Sequence, residues 1–471
     1  MAVQIYDSGA QALREFIPGD PSNVTVYVCG PTVQSGPHIG HLRAALAFDI
    51  LRRWLEYRYP RVTFVRNVTD IDDKVLVGAH PDEPWWALAY RIELAFDRAY
   101  AAIGILPPTY QPRATGSIPQ MIELIETLID AGHAYPAAGD VYFDVRSWPQ
   151  YGQLTRQNLD AMESAEDADP RGKRDPRDFA LWKGTKPEEP ATASWASPWG
   201  PGRPGWHLEC SAMARRYLGV EFDIHGGGRD LRFPHHENEL AQSAAAGDRF
   251  ARYWMHNGLV TLADQKMAKS IGNVITAEDI LAREDPLVVR YALAAAHYRS
   301  TLDIAESSFT EAAAALDRIR TVLTRSDQIG NRASGAVSSA GPKTTPVELP
   351  ERFAAALDDD LGVPQALAVV HELVRDTNAA LDQGDTETAA TGRARLIASL
   401  DVLGLNPLDA RVRHDAGGTA LTALVQNLIE DRARARSEKD WASADRVRDL
   451  LASAGIVLED GADQTHWSIN D

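Results

Sequence analysis

Val24-Thr25-Val26-Tyr27-Val28-Cys29, then Pro37-His38-Ile39-Gly40-His41, then the stretch from Leu42 to Tyr57 decide the fold of this 471-residue chain. The first run is apolar and β-branched and predicts a strand. In the last, apolar residues recur at Leu42, Leu46, Ile50 and Trp54, and again at Ala47, Leu51 and Leu55. That is the spacing of a helix with one buried side. Between them, His38 and His41 stand one helical turn apart where the helix begins, and a helix N-terminus favours anions. Gly40 removes the side chain that would hold a ligand off the backbone. The arrangement suits a polyphosphate; a pair of surface or capping histidines is the other reading.

The Pro37–His41 stretch resembles the HIGH signature of class I aminoacyl-tRNA synthetases and related nucleotidyltransferases, whose histidines contact ATP phosphates in the transition state. Far downstream, Lys266-Met267-Ala268-Lys269-Ser270 resembles the KMSKS loop, the second signature of that class. It lies between an apolar run, Tyr253 to Leu262, and a helix announced by Thr276 with Asp279 three residues on, a first-turn capping pattern. Two lysines three apart on a loop can both reach one pyrophosphate as mobile point charges. A solvated basic loop is the bland alternative, and finding both signatures in this order weighs against it. Position 268 is Ala where the family usually has Ser. Both lysines remain, so loop behaviour is expected to change more than chemistry.

The length predicts two to four domains. No basic segment followed by an apolar core marks a secretory signal, and no apolar run approaches the twenty or so residues of a membrane span. A soluble cytoplasmic protein with no membrane partner is expected. Net charge is −18, which in bulk argues against nucleic acid, but binding depends on where the positive residues lie. Arg432, Arg434, Arg436, Lys439, Arg446 and Arg448 cluster near the C-terminus among acids, and by themselves read as a helix surface laced with ion pairs.

Strand and helix patterns alternate through the first half, with a second strand at Val62 to Asn67 and helices at Trp85 to Ile103 and Ile118 to Ala131. This reads as an α/β class with a Rossmann-type parallel sheet. Residues 160–204, rich in Asp, Pro, Lys and Gly, interrupt the pattern as an inserted module or exposed loop. From Thr276 the chain reads as almost wholly helical, with a flexible linker from Ser326 to Pro350. A hairpin is expected at the end, Ile456-Val457-Leu458 and Thr465 to Ile469 flanking Gly461. The expected division is 1–112 and 205–262 as two catalytic halves, 113–204 as a connective insertion and 263–325 as the KMSKS loop with stem-contact helices. A linker at 326–349, a helical bundle at 350–412 and a small α/β anticodon-binding module at 413–471 follow.

The two cysteines, Cys29 and Cys210, are not expected to pair in a cytoplasmic protein. His235 and Glu239, four apart after Pro234, have the spacing that lets two side chains grip one ion. Together the four offer two thiolates, an imidazole and a carboxylate, a set suited to Zn²⁺. His236, about 100° around the helix, is the poorer ligand. By itself the His-Glu pair reads more readily as a surface ion pair than as a metal grip, and two buried inert thiols are the default for the cysteines.

Cys29 to Val33, Asn67 to Lys74, Gly205 to Ser211, Asp223 to Asp230 and the run His235-His236-Glu237-Asn238-Glu239 resemble the cysteinyl-tRNA synthetase family, and the similarity runs essentially the whole chain. The resemblance implies one zinc per chain on Cys29, Cys210, His235 and Glu239, and a cysteine pocket lined by Thr69, Trp206, His225 and Asp230. It also implies an ATP site at His38, Gly40, His41, Gly227, Lys266 and Lys269, with Mg²⁺ arriving on the nucleotide. His38, His41, Lys266 and Lys269 are the implied catalytic residues. The implied reaction joins L-cysteine to tRNA-Cys through cysteinyl-adenylate, in a monomer. Four protein ligands usually close a zinc site, so substrate binding implies a fifth ligand or a loosened Glu239. A cysteine:amino-sugar ligase of the mycothiol type shares the catalytic half and lacks the C-terminal tail. A non-catalytic tRNA-binding relative would not need intact histidines, lysines and metal ligands.

Overall fold

The computed structural model describes residues 2–80, 82–163, 172–262, 265–266, 274–333, 347–409, 416–460 and 465–469. The chain forms two compact units, Met1–Val412 and Arg413–Asp471. Unit one opens with a hairpin, β1 (Gln4–Asp7) against β2 (Ala12–Glu15). The core follows as β3 (Val24–Val28), α1 (Ile39–Arg58), β4 (Val62–Arg66), a short α2 (Asp73–Gly78), α3 (Trp85–Ala102) and α4 (Ile118–Asp130). Every apolar residue singled out on α1 is buried. The helix begins at Ile39, three residues before the apolar spacing starts, because His38 caps it.

The insertion is built around a sheet. β5 (Ala134–Ala137), β6 (Asp140–Phe143), β7 (Phe179–Gly184) and β8 (Gly202–Pro204) form four antiparallel strands in that order. The 160–204 stretch, read as a module or exposed loop, thus supplies two of its strands. Polar composition hid them, since Phe179 to Trp182 is a short apolar run among turn residues.

The core sheet is completed by β9 (Glu221–Gly228) and β10 (Phe250–Asn257), with α5 (Trp206–Leu218) and α6 (Glu237–Ala245) as crossovers. Its order is β10-β9-β3-β4, all parallel, with Val26 opposite both Phe64 and Ile224. Both faces are covered, as a parallel sheet requires. Cys29, Asn67 to Thr69 and the glycines of β9 therefore gather at the carboxyl ends of the strands, where such sheets place their ligands.

Beyond the sheet come β11 (Val260–Leu262), β12 (Gln265–Lys266), α7 (Ala277–Arg283), α8 (Pro286–Ala294) and β13 (Leu302–Ile304). β13 pairs with β11, so this stretch is less wholly helical than its composition suggests. α9 (Glu306–Ala333) carries helix into the stretch read as linker from Ser326. α10 (Glu351–Asp358), α11 (Val363–Gln383) and α12 (Thr386–Leu403) then form a helical bundle. Asp358 bonds Arg58 of α1 at 2.8 Å, and Asp360 accepts from Arg299 at 2.6 Å, Tyr298 at 2.7 Å and the Tyr6 N–H at 2.8 Å. These bonds bolt the bundle to the part of the unit that carries the parallel sheet.

Two buried arginines hold the core helices together. Arg290 of α8 donates to the Leu403 and Ile103 carbonyls and to Asp49 of α1. Arg43 donates to the carbonyls of Leu293, Ala296 and His297 at the end of α8. There the helix's C-terminal carbonyls face a cation. No described helix is long and apolar enough to cross a membrane.

Unit two is α13 (Ala416–Ser437), α14 (Trp441–Ser453) and the antiparallel hairpin β14 (Ile456–Asp460) and β15 (Thr465–Ile469), packed around Val425, Ile429, Leu451 and Ile456. The terminal hairpin is the one its turn signal predicts.

Candidate functional site

Three distant segments meet at the strand ends. Cys29 follows β3, Cys210 lies in the first turns of α5, and Glu239 lies on α6. His235 comes from an irregular turn, Arg232–His236, where Phe233 has strand-like dihedrals. Helical backbone resumes at Pro234 after that kink and runs on into α6, so Pro234 sits in a first turn as its sequence position suggests. His235 and Glu239 therefore converge from one run of helix. Cys29 Sγ is 3.6 Å from Cys210 Sγ and 3.3 Å from Glu239 Oε1, and His235 Nε2 is 3.1 Å from the same oxygen. One donor atom from each of the four lies within 4.8 Å of the others.

Burial fixes the electrostatics. It pushes the Cys29 thiol well above its ordinary range, helped by the hydrogen bond to Cys210, and raises Cys210 as well. It drives His235 down to about 3. Burial also works against the Glu239 carboxylate, but His225 and His235 outweigh it and hold the group below the usual range. Two thiols, a neutral imidazole and a carboxylate packed this closely are a donor set for a divalent soft cation, which would lower the thiols as it bound. The residues fit such an ion.

A second grouping, Cys29, His225, His236 and Glu239, overlaps the first. His225 Nε2 lies 2.8 Å from Glu239 Oε2, and His236 Nδ1 is taken up by His256 Nε2 at 2.8 Å. The first grouping has both sulfurs, which favours it for a soft metal. His225 and His207 are its supports. His207 Nδ1 sits 3.0 Å from His235 Nδ1, and burial drives His207 down to about 3. The nitrogen of a ligating histidine that faces away from the metal ordinarily finds such a partner.

Two of the implied pocket residues, Trp206 and His225, touch this cluster directly. Trp206 stacks on His235 with ring centroids 4.2 Å apart, and His225 stacks on Trp254 at 4.6 Å. The Thr69 hydroxyl donates to Glu209 Oε2 at 2.9 Å. Asp230 is exposed in the turn after β9. Close approach requires glycine at two points. A Cβ on Gly30 would overlap the Asn67 carbonyl, and one on Gly226 would overlap the Phe48 ring. Gly227 faces His236, and Gly228 faces the Asp230 carboxylate.

At the start of α1, His38 Nδ1 accepts the Gly40 N–H at 3.2 Å, and His41 Nδ1 accepts the His38 N–H at 3.1 Å. Their ring centroids are 3.7 Å apart. The capping reading of these histidines is therefore correct, and it coexists with a place at an anion-favouring helix end. Thr276 caps α7 by accepting the Asp279 N–H at 3.0 Å. The segment after the lysine loop pairs with the histidine segment: Ile39 N–H donates to Ile275 O at 3.0 Å and Ala277 N–H to Pro37 O at 2.9 Å. Lys266 ends β12; Met267, Ala268, Lys269 and Ser270 lie outside the described residues.

Sequence reasoning gave no role to Asn67, His207, Glu209 or His256, all of which touch this network. One signal was available for Glu209, an acid beside Cys210 between apolar residues of a helix, where a buried charge is costly.

Comparison with known proteins gives the same answer over the whole length. Residues 15–314 match the family described as tRNA synthetases class I (C) catalytic domain. Residues 352–407 match the DALR domain, and 419–467 match the cysteinyl-tRNA ligase anticodon binding domain. The chain is 60% identical to the cysteine–tRNA ligase of Clavibacter sepedonicus, with all of both chains covered.

The chain belongs to the cysteine–tRNA ligase family.

A second member, from Leifsonia xyli subsp. xyli, is 57% identical, again over the whole of both chains. The fold is shared more widely. Mycobacterium tuberculosis methionyl-tRNA synthetase in complex with methionyl-adenylate superposes with a TM-score of 0.56 at 16% identity, covering 85% of this chain and 93% of that one. That likeness shows a class I synthetase architecture.

Proposed function

We propose that this chain activates L-cysteine with ATP and transfers it to the 3′ end of tRNA-Cys, with zinc on Cys29, Cys210, His235 and Glu239 selecting the thiol. The observation that carries the reading is the buried S, S, N, O cluster in a chain of this family. Zinc, when bound, supplies a soft Lewis acid that takes cysteine as its thiolate and passes over serine's harder hydroxyl. A shape-based pocket separates S from O poorly, so discrimination needs this chemistry.

The chain's own residues do the rest by positioning and charge. His38 and His41 hold the α- and β-phosphate region of ATP at the start of α1. Gly40 lets the nucleotide approach the backbone, while the space a side chain on Gly227 would fill is taken by His236. Lys266 and Lys269 take the departing pyrophosphate, and Mg²⁺ arrives on the nucleotide. Thr69, Trp206, His225 and Asp230 orient the amino acid so that its carboxylate faces the α-phosphorus. A cavity of about 370 Å³ beside Trp206 and His207 offers room for the terminal nucleoside of tRNA.

The divisions at 1–112, 113–204, 205–262, 263–325, 326–349, 350–412 and 413–471 are our working domain scheme. One chain carries every residue assigned, so a monomer suffices, working in the cytoplasm where tRNA is charged at the expense of ATP.

The test is aminoacylation of purified tRNA-Cys with ATP and either cysteine or serine. Charging by cysteine alone is expected. Equal charging by serine, or none by either, overturns the reading.

A further inference from the structure

We propose that Glu209 is the positioning residue that makes this site select the α-ammonium group of its amino acid, acting through the Thr69 hydroxyl. The inference rests on the functional reading above, in which Thr69 lines the amino-acid pocket. It is carried by a chain of hydrogen bonds that runs from the Gly30 N–H through Asn67 and Thr69 to Glu209.

The chain starts at a fixed donor. The Gly30 N–H donates to Asn67 Oδ1 at 2.8 Å, which settles the orientation of that amide. Asn67 Nδ2 must then face Thr69 Oγ1, 3.4 Å away, and can only donate to it. The single hydroxyl proton of Thr69 goes to Glu209 Oε2 at 2.9 Å. That bond needs an acceptor at Oε2, which a carboxylate supplies, as does a carboxylic acid whose proton is on Oε1. Asn67, Thr69 and Glu209 are each 1% exposed, so water does not compete for these bonds. The other oxygen of Glu209, Oε1, is buried and meets no donor among the described residues. The Thr69 bond is thus what holds the carboxyl.

With its proton committed, Thr69 Oγ1 is an acceptor only. Among the polar groups of cysteine, the carboxylate and the thiolate are acceptors and the ammonium alone is a donor. A hydroxyl held this way therefore favours the ammonium and rejects a thiol that lacks one. Without Glu209 the hydroxyl is free to turn its proton toward the substrate, and the preference is lost.

The test compares L-cysteine with its des-amino analogue, 3-mercaptopropionate, by isothermal titration on the metal-loaded full chain. Glu209→Met is expected to weaken cysteine by about 10- to 100-fold. The analogue should stay within about twofold of its affinity for the unmutated chain. Glu209→Gln, whose amide oxygen still accepts from Thr69, should recover most of the loss. Thr69→Val should reproduce the Glu209→Met result, and the double variant should bind cysteine no more weakly than Thr69→Val alone.

Equal weakening of both thiols, no weakening of either, or additive losses in the double variant would overturn the assignment. So would a Glu209→Met protein stripped of metal, because Glu209 would then be acting through its neighbour Cys210. If the unmutated chain binds neither thiol, the pocket reading falls and this inference with it. If it binds both and the variants fail as above, only the inference falls.

Discussion

Two polar centres are buried in the first unit of this molecule, and they are satisfied in opposite ways. Around Arg290, the guanidinium donates to the Leu403 and Ile103 carbonyls and, at 2.5 Å, to Asp49, whose carboxylate also takes Arg53 and the Leu106 N–H. Charge meets charge, and the donors meet carbonyls. Around Cys29 the chain gathers two thiols, an imidazole and a carboxylate with no cationic side chain in the grouping. The first centre is complete within the chain and is architecture. The second has no cationic side chain in its grouping among the described residues, which is the make-up of a cluster that could hold a metal ion.

Removing a donor from the incomplete centre should have the largest effect. Cys210→Ala is expected to lose its metal and to reduce cysteine-dependent ATP–pyrophosphate exchange by more than about a hundredfold. Unchanged exchange, with metal content measured beside it, would break the contrast. Next comes the complete centre. Arg290→Met takes the donor from the buried Leu403 and Ile103 carbonyls and leaves Asp49 with Arg53 as its one remaining cation, and should cost about 3–5 kcal/mol in urea unfolding. Metal content should be unchanged in whatever fraction stays folded; a stable variant with lost metal would mean the two centres are one.

Acid should separate them more gently. Burial holds His207, His235 and His256 each at about 3, against about 6.5 in an unfolded chain. Between those values the unfolded state binds more protons, so stability is full above about pH 6.5 and falls as pH drops toward 3, by up to about 1.4 kcal/mol per pH unit for each histidine. Asp49 stays ionised through that window, because Arg290 and Arg53 outweigh its burial. Urea midpoints of the metal-free chain across the window check the sign; a midpoint that rises on acidification would refute it. The smallest effect belongs to the surface. Arg352 pairs with Glu372 at 2.5 Å but is 73% exposed, so Arg352→Ala should shift unfolding by less than about 1 kcal/mol.

Sequence made the site more legible than the frame around it. Histidines at a helix start, a thiol at a strand end and an acid four residues after a histidine are local patterns, and each can be read where it stands. What joins Cys29 to Cys210 is the parallel crossing of β3 and β9, and no local pattern states a crossing. The strands of the insertion were hidden for a related reason. β8 is three residues long, and its place is fixed by pairing with β7 rather than by propensity. Glu209 went without a role because its partner, Thr69, comes from a strand end 140 residues away.

The bonds that start α1 also decide where the ring protons sit. His38 and His41 each spend Nδ1 as an acceptor for a backbone N–H, so in the neutral form each must carry its hydrogen on Nε2. Folding the first turn thus selects one tautomer of both rings. An imidazole locked this way offers an N–H to a phosphate oxygen without first gaining a charge. A phosphate brought to that helix end, as proposed above, would meet both rings as neutral donors.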